Sequence, residues 1–314
     1  MAEYSIGVDL GGTNLRAAAV DREGNILARI AGSTNLAAGR DAVISDIVTS
    51  IVQLKTECGE HRLAGVGIGV PGFIQIEKGI IVGSSNLPQF DNFPVRDDIE
   101  QKLGIPVILE NDANAAALGE KWIGAGRDVN DLILLTLGTG VGGGIIWGGR
   151  VLHGFVGMAG ELGHLTVVPN GNPCGCGNVG CLEKHASATA IVGMARLLGF
   201  GEVTSAEVYE LAKVGNARAL LIFESMGTAL GIAIANLINI FNFPLYLLGG
   251  GVLAAWSLFA PAMLREIERR SFTFRNTRTR VEPAVLGSEA GLIGAAYLPF
   301  LSEDLIAGYM RGSR

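Results

Sequence analysis

Two glycine-rich turns constrain this chain most: DLGGTN at 9–14 and TLGTGVGGG at 136–144. Each lies among β-rich runs broken by turn residues. YSIGVD, NLRAAAV and ILARIAG surround the first, with DREGN as a turn; DLILLTL, VGGGIIW and VLHG surround the second, with GGR. The alternation of such runs with turn chemistry predicts an antiparallel meander in each place. Two copies of strand, Gly-rich hairpin and strand, about 130 residues apart, predict a duplicated domain with one phosphate-facing hairpin in each half. Glycine lets backbone amides approach a phosphate without a Cβ in the way. In the first hairpin Asp9 can face a metal ion and Thr13 can donate a hydroxyl hydrogen bond. A lone Gly-Gly pair suits any tight β-turn equally well, so the second copy is what favours a nucleotide clamp. A third cluster, LGGGV at 248–252, suits close approach of a flat ring such as adenine, and equally a plain strand-to-helix turn.

Between these turns the pattern alternates. Ile44, Ile47, Val48, Ile51 and Leu54 predict a helix over 40–57, LAGVGIGV a strand, PVRDDIEQKL a helix with Pro94 at its start, and IPVILEN a short buried strand. Helices follow at 186–198, at 205–214 behind a Thr204/Glu207 capping box, and at 216–241. The strand PLYLLGGGV, a helix carrying Pro261, the strand VEPAVL and a last helix from Ser288 complete the chain. Meander followed by alternating helix and strand is an α/β class with mixed sheets. At 314 residues the chain exceeds one ordinary core, so two domains are expected. The boundary is placed near Glu110, giving a small α/β domain from 1–110 plus about 298–314, and a larger one from 111–297.

The longest apolar run, MGTALGIAIANLINIFNF, is interrupted by Asn236 and Asn239, which favours a buried central helix over a membrane span. The N-terminal MAEYSIGVDLGG has no basic, apolar leader pattern, and the expected location is cytoplasmic. A net charge of −6 argues against nucleic acid as the main partner. The one basic cluster, from Arg265 to Arg280, is read as a solvated face.

ENDANAAALGE at 110–120 puts Glu110, Asn111 and Asp112 where a buried strand ends and a helix begins. Asn and Asp are good N-caps, and one of them is expected in that role. A carboxylate at the C-terminal end of such a strand is also where α/β folds place chemistry. Phosphoryl transfer to an alcohol needs a carboxylate to accept the hydroxyl proton, and Asp112 is the candidate.

In order along the chain, DLGGT, GVGIGVPG, ENDANAAALGE, LGTGVGGG, ELGH, CGCGNVGCLE and LGGGV resemble the ROK family of sugar kinases and sugar-responsive repressors, within the actin-like ATPase superfamily. The resemblance runs from Asp9 to about Leu286, is strongest toward bacterial glucokinases, and rests most specifically on the ELGH and CxCGxxGC pair. It implies two ribonuclease-H-like domains around an interdomain cleft, ATP and Mg²⁺ as cofactors, transfer to the 6-hydroxyl of glucose, and a homodimer. Residue by residue, it implies that Asp9, Gly11, Gly12, Thr13 and Asn14 form the first phosphate motif and Gly138, Thr139 and Gly140 the second. Gly249, Gly250 and Gly251 match the adenosine side. Asn111 and Asp112 match the sugar-binding pair with Asp112 as general base; Glu161, His164 and Glu183 match further sugar contacts, and Gly72 backbone lies along the sugar. N-acetylglucosamine, N-acetylmannosamine, mannose or fructose are the alternative acceptors. The repressors carry an N-terminal DNA-binding domain, for which a motif beginning at Asp9 leaves no room. A sugar sensor without catalysis would not need Asp112 to be a carboxylate.

Three of the four cysteines fall within eight positions. Cys174, Cys176 and Cys181 are soft ligands in a chain read as cytosolic, where a disulfide is disfavoured and tetrahedral Zn²⁺ needs a fourth donor. The resemblance supplies His164. A closed set of four protein ligands is structural, and it would brace the loop between Glu161 and Glu183. Cys58, at a helix end, is read as a small buried hydrophobe.

Overall fold

The structure, a computed structural model, describes residues 3–301. In chain order the strands and helices begin with β1 (Glu3–Leu10), β2 (Asn14–Asp21), β3 (Ile26–Ser33), α1 (Arg40–Glu57), β4 (Arg62–Val70), β5 (Phe73–Gln75) and β6 (Ile80–Gly83). Then come α2 (Val95–Leu103), β7 (Val107–Asn111), α3 (Asp112–Trp122), β8 (Leu132–Leu137), β9 (Val141–Trp147) and β10 (Arg150–Val151). The rest comprises α4 (Glu183–Ala186), α5 (Ala188–Leu197), α6 (Ser205–Lys213), α7 (Ala217–Phe241), β11 (Leu245–Gly249), α8 (Trp256–Arg270), α9 (Phe272–Asn276), β12 (Arg280–Pro283) and α10 (Ala290–Tyr297).

The duplication read from the hairpins is visible in the sheets. One has strand order β3-β2-β1-β4-β7, the other β10-β9-β8-β11-β12, the same third-second-first-fourth-fifth pattern. In the first sheet β1 is antiparallel to β2 and parallel to β4, which is parallel to β7. In the second, β11 runs parallel to both β8 and β12, and β10 antiparallel to β9. Both sheets are therefore mixed. The predicted helices and strands are present, with the span read as 186–198 broken by Ser187 into α4 and α5. The β5–β6 hairpin and α9 are additions, too short for periodicity to reveal.

Two compact units result. One is the chain up to Asn130, Gly144–Ala159 and the described chain from Ser288; the other is Asp131–Gly143 with Gly160–Gly287. The division differs from the boundary expected near Glu110, and the reason is packing. Helix α3 lies on α10 so closely that a Cβ at Gly119 would sit 2.3 Å from the Ala290 carbonyl oxygen, and α10 lies on β1 and β4. Residues 302–314 of the expected C-terminal addition lie outside the described residues.

The glycine- and alanine-rich composition has a use in the first unit. A Cβ at Gly67 would fall 1.9 Å from the Ala295 carbonyl oxygen, so the sheet can carry α10 only where the strand has no side chain. Ala18, Val20, Leu292 and Ala296 form a core cluster there, covered by Ile26 and Trp122, and Trp122 stacks on Tyr297 at 4.8 Å between ring centroids.

In the second unit α7 packs along α8. By length and composition α7 is apolar enough to cross a membrane, yet 67% of its most apolar window is buried. Asn236 is exposed, and Asn239 accepts a hydrogen bond from Ser271 Oγ at 2.8 Å. A core helix explains both. Of the basic cluster, Arg269 and Arg270 pair with Glu266 and Arg265 with Glu224, all with exposed arginines, as a solvated face should. Cys58 caps α1 and is buried.

Candidate active site

In the first unit the parallel strands β1, β4 and β7 end side by side: Asp9 is in register with Gly69, Gly69 with Glu110, and Val70 with Asn111. Asp9 and the Asn111–Asp112 pair therefore come to the same sheet end, the end at which open α/β sheets bind ligands. A methyl group on Gly291, in the first turn of α10, would lie 3.7 Å from the Asp9 carboxyl and 3.8 Å from the Asp112 carbonyl oxygen. β1, α3 and α10 thus meet at this point at ordinary packing distance, and no periodic signal marks it in the sequence.

The DLGGTN turn is tied to itself and to its neighbour strand. Gly11 N–H donates to Asn14 O at 2.8 Å, Thr34 N–H to Thr13 O at 2.8 Å, and Thr34 Oγ1 to Gly11 O at 2.8 Å. Thr13 and Asn14 are exposed, and Gly12 approaches Asn86 too closely for a side chain, 2.9 Å from a Cβ to the Asn86 carbonyl oxygen. Arg16, directly across the hairpin from Asp9, pairs with its carboxylate, and Glu289 in turn lies near Arg16 and Arg29. The motif reading missed Arg16; the hairpin register, which sets Asp9 opposite Arg16, carried the signal.

Asn111 is the N-cap of α3. Its Oδ1 accepts from Ala113 N–H at 2.9 Å and Asn114 N–H at 3.2 Å, satisfying two otherwise orphaned donors, while its Nδ2 donates to Gly72 O at 3.2 Å. Capping uses only the oxygen end of this amide, and the nitrogen end reaches Gly72. Asp112, the first helical residue, accepts from Ala113 N–H at 2.8 Å and stands at the N-terminal end of the helix. Gly72 has φ of +110°, and a Cβ there would meet Gly83 O at 2.5 Å, so only glycine fits the corner that faces Asn111.

In the second unit Gly138 N–H donates to Gly140 O at 3.0 Å, and Thr139 is exposed, its carbonyl held by Thr189 Oγ1 at 2.8 Å. A Cβ on Gly138 would meet nothing within 4 Å, whereas one on Gly140 would lie 2.7 Å from Glu183 Oε2. The absence of a side chain at Gly138 leaves a cradle; at Gly140 it makes room for Glu183. The LGGGV cluster divides in the same way. Gly249 ends β11, and Gly250, with φ of +88°, turns so close to Leu137 that a Cβ would be 2.4 Å from its carbonyl oxygen; around Gly251 the space is open.

Glu161, His164 and Glu183 gather around the cysteines. His164 Nε2 is 3.8 Å from Glu161 Oε2, and Cys174 Sγ donates to Glu183 Oε1 at 3.2 Å. Burial pushes the Glu161 carboxyl above its ordinary value, opposed by the nearby His164 and reinforced by the negative charge of Glu183. One ligand atom from each of His164, Cys174, Cys176 and Cys181 lies within 4.8 Å of every other. Cys176 Sγ is 3.7 Å from Cys181 Sγ, and His164 Nδ1 is 3.6 Å from Cys174 Sγ. Metal–sulfur bonds of about 2.3 Å and metal–nitrogen bonds of about 2.0 Å in a tetrahedron span edges of about 3.5–3.8 Å, so these two contacts have the right size. Burial pushes the Cys174 thiol up to about 12, so a metal bound there would displace its proton.

Residues 5–300 match the family model described as ROK family. The chain is 38% identical to a glucokinase from Halalkalibacterium halodurans, with 96% of each chain covered. Among solved structures it is similar to a ROK hexokinase from Thermus thermophilus, with a TM-score of 0.86, 36% identity, and 93% of this chain and 96% of that one covered. It is also similar to a ROK family glucokinase from Streptomyces griseus in complex with glucose and AMPPNP, with a TM-score of 0.78, 34% identity, and 94% and 98% covered. Duplicated mixed sheets, the paired glycine turns and the full-length match lead to one conclusion: this chain belongs to the ROK family, with the actin-like ATPase fold of its sugar kinases.

Proposed function

We propose that this protein is an ATP-dependent glucokinase that transfers the γ-phosphoryl group of ATP to the 6-hydroxyl of glucose. The observation that carries the reading is Asp112: a carboxylate at a helix N-terminus and a parallel-sheet end, beside an asparagine that is itself anchored at both ends of its amide. The similarity to a glucokinase over 96% of the chain supports glucose over N-acetylglucosamine, N-acetylmannosamine, mannose or fructose as acceptor. In the reaction Asp112 accepts the proton of the 6-hydroxyl as that oxygen bonds to the γ-phosphorus; the bond from that phosphorus to the bridging oxygen breaks, and ADP leaves.

Asn111, Glu161, His164, Glu183 and the Gly72 backbone are assigned to holding the sugar. The turn of Gly11, Gly12, Thr13 and Asn14 and the turn of Gly138, Thr139 and Gly140 are assigned to the phosphates; Gly11 N–H and Gly138 N–H close their own turns, so the contact falls to the other amides, whose fixed N–H dipoles would stabilise developing charge. Gly249, Gly250 and Gly251 are assigned to the adenosine, Gly251 having the open space this needs. Asp9, which pairs with Arg16, is assigned as the carboxylate that would hold Mg²⁺ bound with ATP, and the ion would neutralise phosphate charge.

His164, Cys174, Cys176 and Cys181 are assigned to a structural Zn²⁺. The donor set fits: three thiols and an imidazole within 4.8 Å of one another, two of their contacts at the length of a tetrahedral edge, with Nδ1 of His164 on the sulfur side and Nε2 toward Glu161. The expected setting is a cytosolic homodimer with no nucleic-acid partner, consistent with the acidic net charge and the burial of α7.

The test compares the wild type with Asp112→Asn in an assay that reads sugar-phosphate formation over a panel of hexoses and amino-hexoses, with ATP and with polyphosphate as donor. In the variant, turnover should vanish while glucose binding stays measurable by calorimetry. Undiminished turnover in the variant, or a clear preference of the wild type for another sugar, overturns the reading.

A further inference from the structure

Behind the Asn111–Asp112 corner lies a polar cluster that no motif announces. Glu110 is wholly buried. Its Oε1 accepts from the Asn111 backbone N–H at 2.8 Å and from Asn114 Nδ2 at 3.0 Å, and its Oε2 lies 2.7 Å from His153 Nε2. Buried polar groups need partners, and His153 is the side chain that meets Glu110 Oε2. His153 follows β10 in sequence, and its side chain is only 21% exposed. Asn114 is buried too, and its Oδ1 receives no hydrogen bond among the described residues; Glu110 is what holds its amide end.

The consequence reaches the reacting group through one amide. The N–H captured by Glu110 belongs to Asn111, whose side chain caps α3 and holds Gly72, and whose next neighbour is Asp112. If Glu110 turns away, the main chain at Asn111 loses its anchor, and the direction of Asp112 moves with it. A misplacement of about 1 Å at a reacting group can lower a rate about 100-fold.

We propose that His153 is a positioning residue for phosphoryl transfer, fixing through Glu110 the main chain at Asn111 and so the aim of the Asp112 carboxylate. This rests on the reading of Asp112 as general base. The experiment compares kcat, glucose KM and ATP KM for the full-length wild type and for His153→Leu, His153→Gln, His153→Asn and Asp112→Asn, with thermal melts as a folding control. Leucine removes the donor. The glutamine amide places a donor near the position of Nε2, and the asparagine amide falls short of it.

His153→Leu should lose about 10- to 100-fold in kcat, keep its ATP KM, and be largely rescued by His153→Gln but not by His153→Asn. Wild-type kcat in folded His153→Leu overturns the proposal and leaves His153 a purely structural residue. Should the leucine variant not accumulate, the two amides carry the test, and equal kcat for both overturns it. Asp112→Asn separates the two readings: if it is inactive while His153→Leu is normal, only the positioning role fails, whereas an active Asp112→Asn removes the general base and the proposal together.

Discussion

Nδ2 of Asn111 donates to the carbonyl oxygen of Gly72 at 3.2 Å while Oδ1 of the same amide caps α3. One side chain thus joins the end of a strand, the start of a helix and the corner after β4, and its two halves can be separated by mutation. Asn111→Asp keeps the capping oxygen and loses the donor to Gly72; it should leave the melting temperature near wild type and raise the glucose KM. Asn111→Ala loses both and should also cost about 1–2 kcal/mol of stability. Equal glucose KM for wild type and Asn111→Asp would count against a sugar-placing role for this amide.

Gly72→Ala is expected to destabilise the first unit by about 1–3 kcal/mol, because its φ of +110° is strained for alanine and the added methyl meets Gly83 O at 2.5 Å. Chemical denaturation measures this, and a neutral result would show that the corner relaxes freely.

The His153–Glu110 pair gives stability a pH dependence of defined sign. Burial alone pushes the His153 imidazole down, but the Glu110 charge and its hydrogen bond outweigh this and hold it above its ordinary value. A raised folded value means that the folded state binds the proton more tightly. The stabilisation is fully present below the unfolded value, about 6.5, and is lost as pH rises through the folded one. Thermal melts of the wild type from pH 5 to 9 should show this loss, and the same series on Glu110→Gln should show it flattened. Parallel curves for the two proteins contradict the assignment.

Removal of metal should be felt as unfolding of the loop from His164 to Glu183. Protein purified without chelators should carry about one zinc per chain, and Cys176→Ser, the exposed ligand, less than half of that. A strong chelator should lower the melting temperature of the wild type. Elemental analysis decides the matter, and metal-free protein with full stability would falsify the structural zinc.

Thr204 and Glu207 close a reciprocal capping box at the start of α6. Thr204→Ala should cost about 1 kcal/mol with kcat unchanged, as read by denaturation and the sugar-phosphate assay; a change in kcat would show that α6 is coupled to catalysis.

Much of the fold was legible from local chemistry. Hydrophobic period placed α1 and β4, turn residues placed the hairpins, and the capping box placed α6, because each depends on neighbours a few residues apart. The division of the chain was less legible. α3 belongs with the first unit because α10 returns to cover β1, β4 and α3, a decision made by packing between segments more than 150 residues apart, and Gly144 follows because it packs on Ala113 and Ala117 of α3.

The site divides along the same line. The sequence by itself determined which chemistry is present: paired glycine turns, a carboxylate beside a capping asparagine, three clustered thiols. Side-chain type and short-range spacing are enough for that. Only the tertiary structure decided that Gly251 is open while Gly250 is filled by the main chain of Leu137, that Asp9 is answered by Arg16, and that Glu110 turns inward to His153. Those outcomes depend on which distant atoms occupy the space around a residue, and in a close-packed interior that is settled by the whole fold.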